Sequence, residues 1–122
     1  MSSNRKRVAV TGIGLVSPYG GDTEDFFSRV LNGESAVRHY VTADKPQPLS
    51  MPAVYCADFD AGAAIGKPLA GIMDRFAQMG LAAAFEAWQH AGFSRADGDK
   101  SGGNSDAGVS WGTALGGILA YE

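Results

Sequence analysis

The sequence predicts an α/β domain, and three stretches of the chain lead to that prediction. Residues 8–11 are small or β-branched with no polar alternation, which is typical of a strand covered on both faces. A glycine-rich corner, residues 12–21, follows, and a helix predicted to begin near Thr23 completes a strand–corner–helix unit. Residues 107–112 form a second apolar run stopped by glycines, so we expect a second strand there.

The glycine corner is predicted to let backbones approach each other closely. Gly12 and Gly14 carry no side chain, and Pro18 keeps Ser17 extended, because the residue before a proline disfavours helical geometry. The chain therefore runs outward before it turns. We expect later elements to cross close to these glycines.

The first helix has recognisable start and end signals. Asp22 and the acidic residues after it suit a helix N-terminus, where free N–H groups and the helix dipole favour them. Asn32 and Gly33 are typical of a helix end. Between these signals the apolar residues form one stripe: Phe26, Phe27, Val30 and Leu31.

Residues 34–69 keep no period and are interrupted by prolines, so we expect a connection there and not a core element. Within it, residues 53–57 are predicted to form a short edge strand, because Pro52 stands at its start and not inside it.

Residues 72–91 are the longest periodic element and predict a helix that ends at Gly92. Its polar positions share one narrow stripe, so we expect the helix to be buried on most sides, against a second copy or further chain. Gly80 and the alanines after it leave room for a close neighbour. Residues 94–105 read as a polar loop, and residues 118–122 as the start of another helix that has no cap.

Composition excludes several classes of function. The chain has 122 residues, enough for one domain, and a net charge of −3, which offers no basic surface for nucleic acid or an anionic membrane. Its single cysteine, Cys56, forms neither an internal disulfide nor a metal-ligand pair, which favours a reducing, cytoplasmic compartment. No apolar run is long enough to span a membrane.

The residues themselves predict no complete active site. Residues 12–17 resemble the dinucleotide fingerprint G-x-G-x-x-G only weakly, because Ser17 takes the third position and the helix begins too late to reach a phosphate. Cys56 fits a small buried hydrophobe better than a nucleophile, and His90 fits a helix-end cap better than a base. We therefore expect no catalytic residue, no metal site and no cofactor in this chain.

Taken together, the motifs VTGIGLVSPYG, LNGESAV, ADFD, IMDRFAQMGLAAAFEAW and GTALGG resemble those of the type II β-ketoacyl-acyl-carrier-protein synthases, from Arg7 to the end. The resemblance implies the thiolase-like fold, with residues 1–122 as a partial N-terminal domain, the opening part of the first βαβαβαβ half. It also implies that the nucleophilic cysteine and two catalytic histidines come later than Glu122. The chain alone is then expected to be inactive, and Cys56 does not match the family cysteine.

The resemblance further implies condensation of an acyl thioester with malonyl-acyl-carrier protein in fatty acid or polyketide synthesis. The expected partners are acyl carrier protein, its acyl and malonyl thioesters, and a second copy in a homodimer. Residues 113–117 match the loop that lines the acyl pocket, which makes Leu115 and Gly116 candidate substrate-binding residues. An ordinary core role for Leu115 stays open. Trp111 and Ala114 stand where the family has smaller or glycine residues, so pocket length cannot be inferred.

Two other functions remain as alternatives. A non-catalytic partner subunit, similar to a chain-length factor, shares this N-terminal pattern, and the residue at the nucleophile position would distinguish it from a synthase. A dinucleotide-binding module is the less favoured alternative.

Overall fold

The computed structural model describes residues 6–42, 46–94 and 108–117. In these ranges the chain forms four helices and one two-stranded sheet. The elements are α1 (Thr23–Leu31), β1 (Arg38–Val41), β2 (Ser50–Ala53), α2 (Ala61–Ile65), α3 (Lys67–Ala70) and α4 (Arg75–His90). Among the described helices, none combines the length and apolar character that a membrane crossing requires.

The first helix, α1, confirms the prediction at both ends. The Asp22 side chain accepts a hydrogen bond from the Asp25 amide at 2.7 Å, which satisfies one of the free N–H groups of the first turn. Asn32 caps the C-terminus, and Gly33 follows with φ of +69°, a conformation that glycine adopts without strain. Local chemistry alone therefore set the bounds of α1.

Residues 34–69 hold more structure than the predicted connection. They contain an antiparallel pair, in which Arg38 lies opposite Ala53 and Val41 opposite Ser50. The edge strand predicted at residues 53–57 is wrong: β2 lies three residues earlier and includes Pro52. A two-stranded sheet tolerates this proline because each strand has a free edge.

The same stretch also supplies the buried apolar residues of the described part of the chain, contrary to the prediction that it lacks a core element. They are Ala61 and Ile65 of α2, and Ile65 is only 4% exposed. Asp60 is the N-cap of α2, and its side chain accepts a hydrogen bond from the Ala63 amide at 3.0 Å. The helix packs against α3 and α4. A short capped helix thus forms the core contact that periodicity did not reveal.

The long helix, α4, is confirmed, with a later start than predicted. Asp74 has extended backbone geometry as the N-cap, so the helix begins at Arg75, and Gly92 follows the C-terminus with φ of +86°. None of its residues is fully buried by the described part of the chain, so burial on most sides, expected against a second copy or further chain, stays a prediction. The neighbours described here cover only part of its apolar surface.

Neither predicted strand of the α/β plan forms in the described residues. Residues 8–11 and 108–112 have no strand partner, and Val8 and Val10 are 94% and 82% exposed. A strand requires a neighbouring backbone for its N–H and C=O groups, and no neighbouring strand lies beside these segments in the described ranges. The predicted helix start at residues 118–122 and, apart from Ser94, the loop at residues 94–105 lie outside the described residues.

Candidate functional site

The glycine corner packs directly on α4, as its sequence predicts. A Cβ atom on Gly12 would overlap the carbonyl oxygen of Ala87 and lie 2.8 Å from the Ala91 amide nitrogen. A Cβ atom on Gly14 would overlap the carbonyl oxygen of Ala83 and lie 2.6 Å from the Ala87 amide nitrogen. Only glycine allows the corner to reach the helix backbone at these two positions.

Two side chains of α4 hold the corner in place. The amide of Leu15 donates to Glu86 Oε2 at 3.1 Å. The Nδ1 atom of His90 lies 3.1 Å from the amide nitrogen and 3.2 Å from the carbonyl oxygen of Ile13, so either tautomer has a partner. Glu86 and His90 are four residues apart on one helix face, and they satisfy alternate amides of the corner as a neighbouring strand would.

These anchors revise the role predicted for His90. Its ring bonds to the glycine corner and not to the terminal carbonyls of its own helix, so the interpretation as a helix cap is wrong. The sequence carried one usable signal, the four-residue spacing of Glu86 and His90. That spacing does not reveal which segment the two side chains would meet.

A tight turn closes the corner. Ser17 and Gly20 exchange two backbone hydrogen bonds of 3.0 Å, and the Ser17 hydroxyl donates to the Gly20 carbonyl oxygen at 2.7 Å. The Tyr19 amide donates to the same hydroxyl at 3.2 Å. The amides of Leu15, Ser17, Tyr19 and Gly20 thus have partners within the protein, and the Ile13 amide has one when His90 Nδ1 carries no proton. A phosphate cradle needs free amides, so this geometry argues against dinucleotide binding.

A cleft of about 340 Å³ lies between the corner, residues 56–59 and the second half of α4. Arg75 does not line the cleft but holds one of its walls, residues 56–59. Its guanidinium donates to the carbonyl oxygens of Cys56 at 3.2 Å and Phe59 at 3.0 Å, and it lies 4.7 Å from the centre of the Phe59 ring. Sequence reasoning assigned Arg75 only to a polar stripe, because its partners stand 16 and 19 residues upstream.

The cleft contains one thiol and no histidine. Cys56 is free and half-buried there, beside Asp58 and Glu86. His39 lies elsewhere, in β1, with Nδ1 3.2 Å from the Ser50 hydroxyl. Among the described residues, no group of three histidines, cysteines or acidic residues is placed to hold a metal ion. The cleft therefore offers a binding volume without a nucleophile–base pair.

The two predicted substrate-binding residues share a different place, a loop of residues 113–117 at the first turn of α4. The Gly116 amide donates to Thr113 Oγ1 at 3.2 Å, and a Cβ atom on Gly116 would lie 2.9 Å from the Phe76 ring. Leu115 is 76% exposed. The structure places Leu115 and Gly116 on one loop and does not bring either to the cleft.

Comparison with known proteins identifies the family of the chain. Residues 5–122 match the model of the β-ketoacyl synthase N-terminal domain. The chain is 30% identical over 119 residues to 3-oxoacyl-[acyl-carrier-protein] synthase 2 of Vibrio harveyi and 32% identical over 122 residues to that of Staphylococcus aureus. Each alignment covers 98% of this chain and 28% of the relative.

A third relative extends the likeness beyond these two synthases. The chain is 34% identical over 89 residues to a β-ketoacyl synthase of Streptomyces coelicolor named for the polyketide actinorhodin, with 72% of this chain and 19% of the relative aligned. No solved structure matches the chain. Because the family model covers nearly all of the sequence, the chain belongs to the β-ketoacyl synthase N-terminal domain family.

Proposed function

We propose that this chain is the N-terminal part of a β-ketoacyl-acyl-carrier-protein synthase that condenses an acyl thioester with malonyl-acyl-carrier protein in fatty acid or polyketide synthesis. The observation that carries the proposal is the family match over residues 5–122. The chain spans about a quarter of the length of the two relatives described above as synthase 2, 28% of each. The proposal also includes the thiolase-like fold, a single partial domain over residues 1–122, a cytoplasmic location and a homodimer.

In the proposed reaction an enzyme thiolate first attacks the acyl thioester, and the carrier protein leaves as a thiolate, which takes up a proton from water. Loss of CO₂ from malonyl-acyl-carrier protein then yields a carbanion, which attacks the enzyme-bound acyl group and releases the enzyme thiolate. Histidines stabilise the enolate oxygen. The nucleophile and these histidines are proposed to lie in sequence beyond Glu122, so this chain contributes walls and supports and does no bond-breaking.

Leu115 is the residue proposed to limit the acyl chain, with Gly116 beside it. The exposure of Leu115, 76%, favours this over an ordinary core role within the described chain, because its side chain is free to form part of a wall with other segments. Gly116 supports the loop, since the nearby Phe76 ring leaves no room for a side chain. Both assignments rest on the family resemblance together with this placement.

The test begins with the reading frame beyond codon 122. The full-length product is expressed, supplied with an acyl-acyl-carrier protein and malonyl-acyl-carrier protein, and assayed by mass spectrometry for the 3-oxoacyl product two carbons longer. We expect condensation by that product and none by the 122-residue chain. A full-length protein with no cysteine at the nucleophile position and no condensation would replace this proposal with the non-catalytic partner subunit.

A further inference from the structure

We propose that Trp111, seated on Gly80, is a positioning residue that sets the acyl length admitted by Leu115. This rests on the proposed function, because it assigns a specificity role within the same loop of residues 113–117. The family resemblance implies a smaller residue at the position of Trp111, which sets this residue apart.

The first observation is the contact between the indole and α4. A Cβ atom on Gly80 would overlap Cη2 and Cζ2 of Trp111 and lie 3.1 Å from Cζ3. The six-membered ring therefore rests against the bare helix backbone. Only a glycine in the helix allows the ring to approach the helix backbone this closely.

The second observation is a further contact of the same loop, one helical turn earlier. A Cβ atom on Gly116 would lie 2.9 Å from Cε2 of Phe76, and one on Gly117 would lie 2.9 Å from Oδ2 of Asp74. Phe76 and Gly80 are four residues apart and share a helix face. The segment is thus fixed to α4 at two points along one stripe, and Leu115 lies between them in sequence.

Because of these two contacts, the distance of Leu115 from α4 depends on how closely the Trp111 indole approaches the helix. If a methyl group replaces the hydrogen at Gly80, the ring must retreat by about 1–2 Å to regain ordinary van der Waals separation. The Gly116 contact restrains the other end, so the loop tilts and Leu115 moves. The acyl pocket then changes length by about one methylene group, which in an apolar pocket is worth roughly tenfold in discrimination.

The experiment compares Gly80→Ala and Trp111→Leu with wild type in the full-length synthase. The control is Gly112→Ala, because a Cβ atom there meets no atom of the described residues within 4 Å. The measured quantity is the ratio of kcat/KM for long and short acyl-acyl-carrier proteins. We expect each test variant to change that ratio by roughly tenfold and the control to leave it within about twofold.

A spectroscopic measurement on the same proteins separates placement from specificity. With Trp88 and every tryptophan outside residues 1–122 replaced by phenylalanine, Gly80→Ala should shift Trp111 fluorescence toward that of exposed indole. Alanine favours a helix more than glycine does, so a change in Trp111 emission reports the lost contact and not a weaker helix. If Gly80→Ala fails to fold, Trp111→Leu, which introduces no overlap, still gives the ratio.

Each outcome has a distinct meaning. If the variants are active and the ratio of kcat/KM for long and short acyl chains is unchanged, the inference is overturned and the proposed function stands. If the Trp111 emission shifts while that ratio stays the same, the contact with Gly80 serves stability alone. No condensation by the wild-type synthase refutes the proposed function and this inference together.

Discussion

The contact of Gly14 with the backbone of α4 yields the sharpest stability prediction. Gly14→Ala places a methyl group into the carbonyl oxygen of Ala83 and within 2.8 Å of the Glu86 Cβ atom. The nearest atoms belong to a helix backbone, which cannot rotate away as a flexible side chain can. The corner must therefore lift from α4.

The size of the effect follows from what the lift breaks. An added methyl group in a packed contact costs about 1–3 kcal/mol. Separation also removes the bond from the Leu15 amide to Glu86, which is 3.1 Å long and partly buried, at about 2 kcal/mol for a charged acceptor. Alanine restricts the unfolded chain and returns about 0.7 kcal/mol. We expect a net loss of about 2–4 kcal/mol in the free energy of unfolding.

The assay is urea unfolding followed by circular dichroism, which reports mainly on α4. Gly21→Ala is the matched control, because the nearest atom to its Cβ among the described residues would be the Leu15 carbonyl oxygen at 3.4 Å. We expect the control to stay within about 0.5 kcal/mol of wild type. Equal stability of the two variants would show that the corner does not rest on the α4 backbone.

The remaining predictions concern single contacts and the lone thiol. Glu86→Ala should lower the free energy of unfolding by about 1–3 kcal/mol, because the Leu15 amide loses its acceptor, while Glu86→Gln should recover most of it; equal urea midpoints for both would refute this. Asp22→Ala should cost about 1 kcal/mol through loss of the α1 cap, and hydrogen exchange at the Asp25 amide should rise. The 122-residue chain should form no stable acyl adduct with an acyl-acyl-carrier protein; an intact mass showing acylated Cys56 would contradict it.

The family match changes how the cleft should be regarded. Each relative named synthase 2 extends well beyond the region this chain matches, so the cleft of about 340 Å³ is described with only part of such a protein present. The loop of residues 113–117, which carries Leu115, is the part that the proposed function uses. The cleft and the loop of residues 113–117 lie against different portions of α4. Substitutions in the loop can therefore be tested without changing the residues that line the cleft.

Sequence by itself determined the elements whose causes are local. The Asp22 cap and the Asn32–Gly33 end fixed the bounds of α1. Sustained periodicity and Gly92 fixed α4, except for the residue at which it begins. The absence of side chains at Gly12 and Gly14 was enough to predict a close backbone crossing. The motifs also indicated the family, because they depend on residue identity and order.

Only the tertiary structure decided features that depend on distant partners. The valines of residues 8–11 have strand propensity, yet within the described part of the chain they are exposed and have no strand partner, because a ladder needs another backbone beside it. Pro52 is tolerated in β2 because β2 pairs only with β1, which leaves the other edge of β2 free in this sheet. Hydrogen-bond partners that stand 16 to 77 residues away in sequence bind the side chains of Arg75, Glu86 and His90. No local pattern specifies a partner over such a separation.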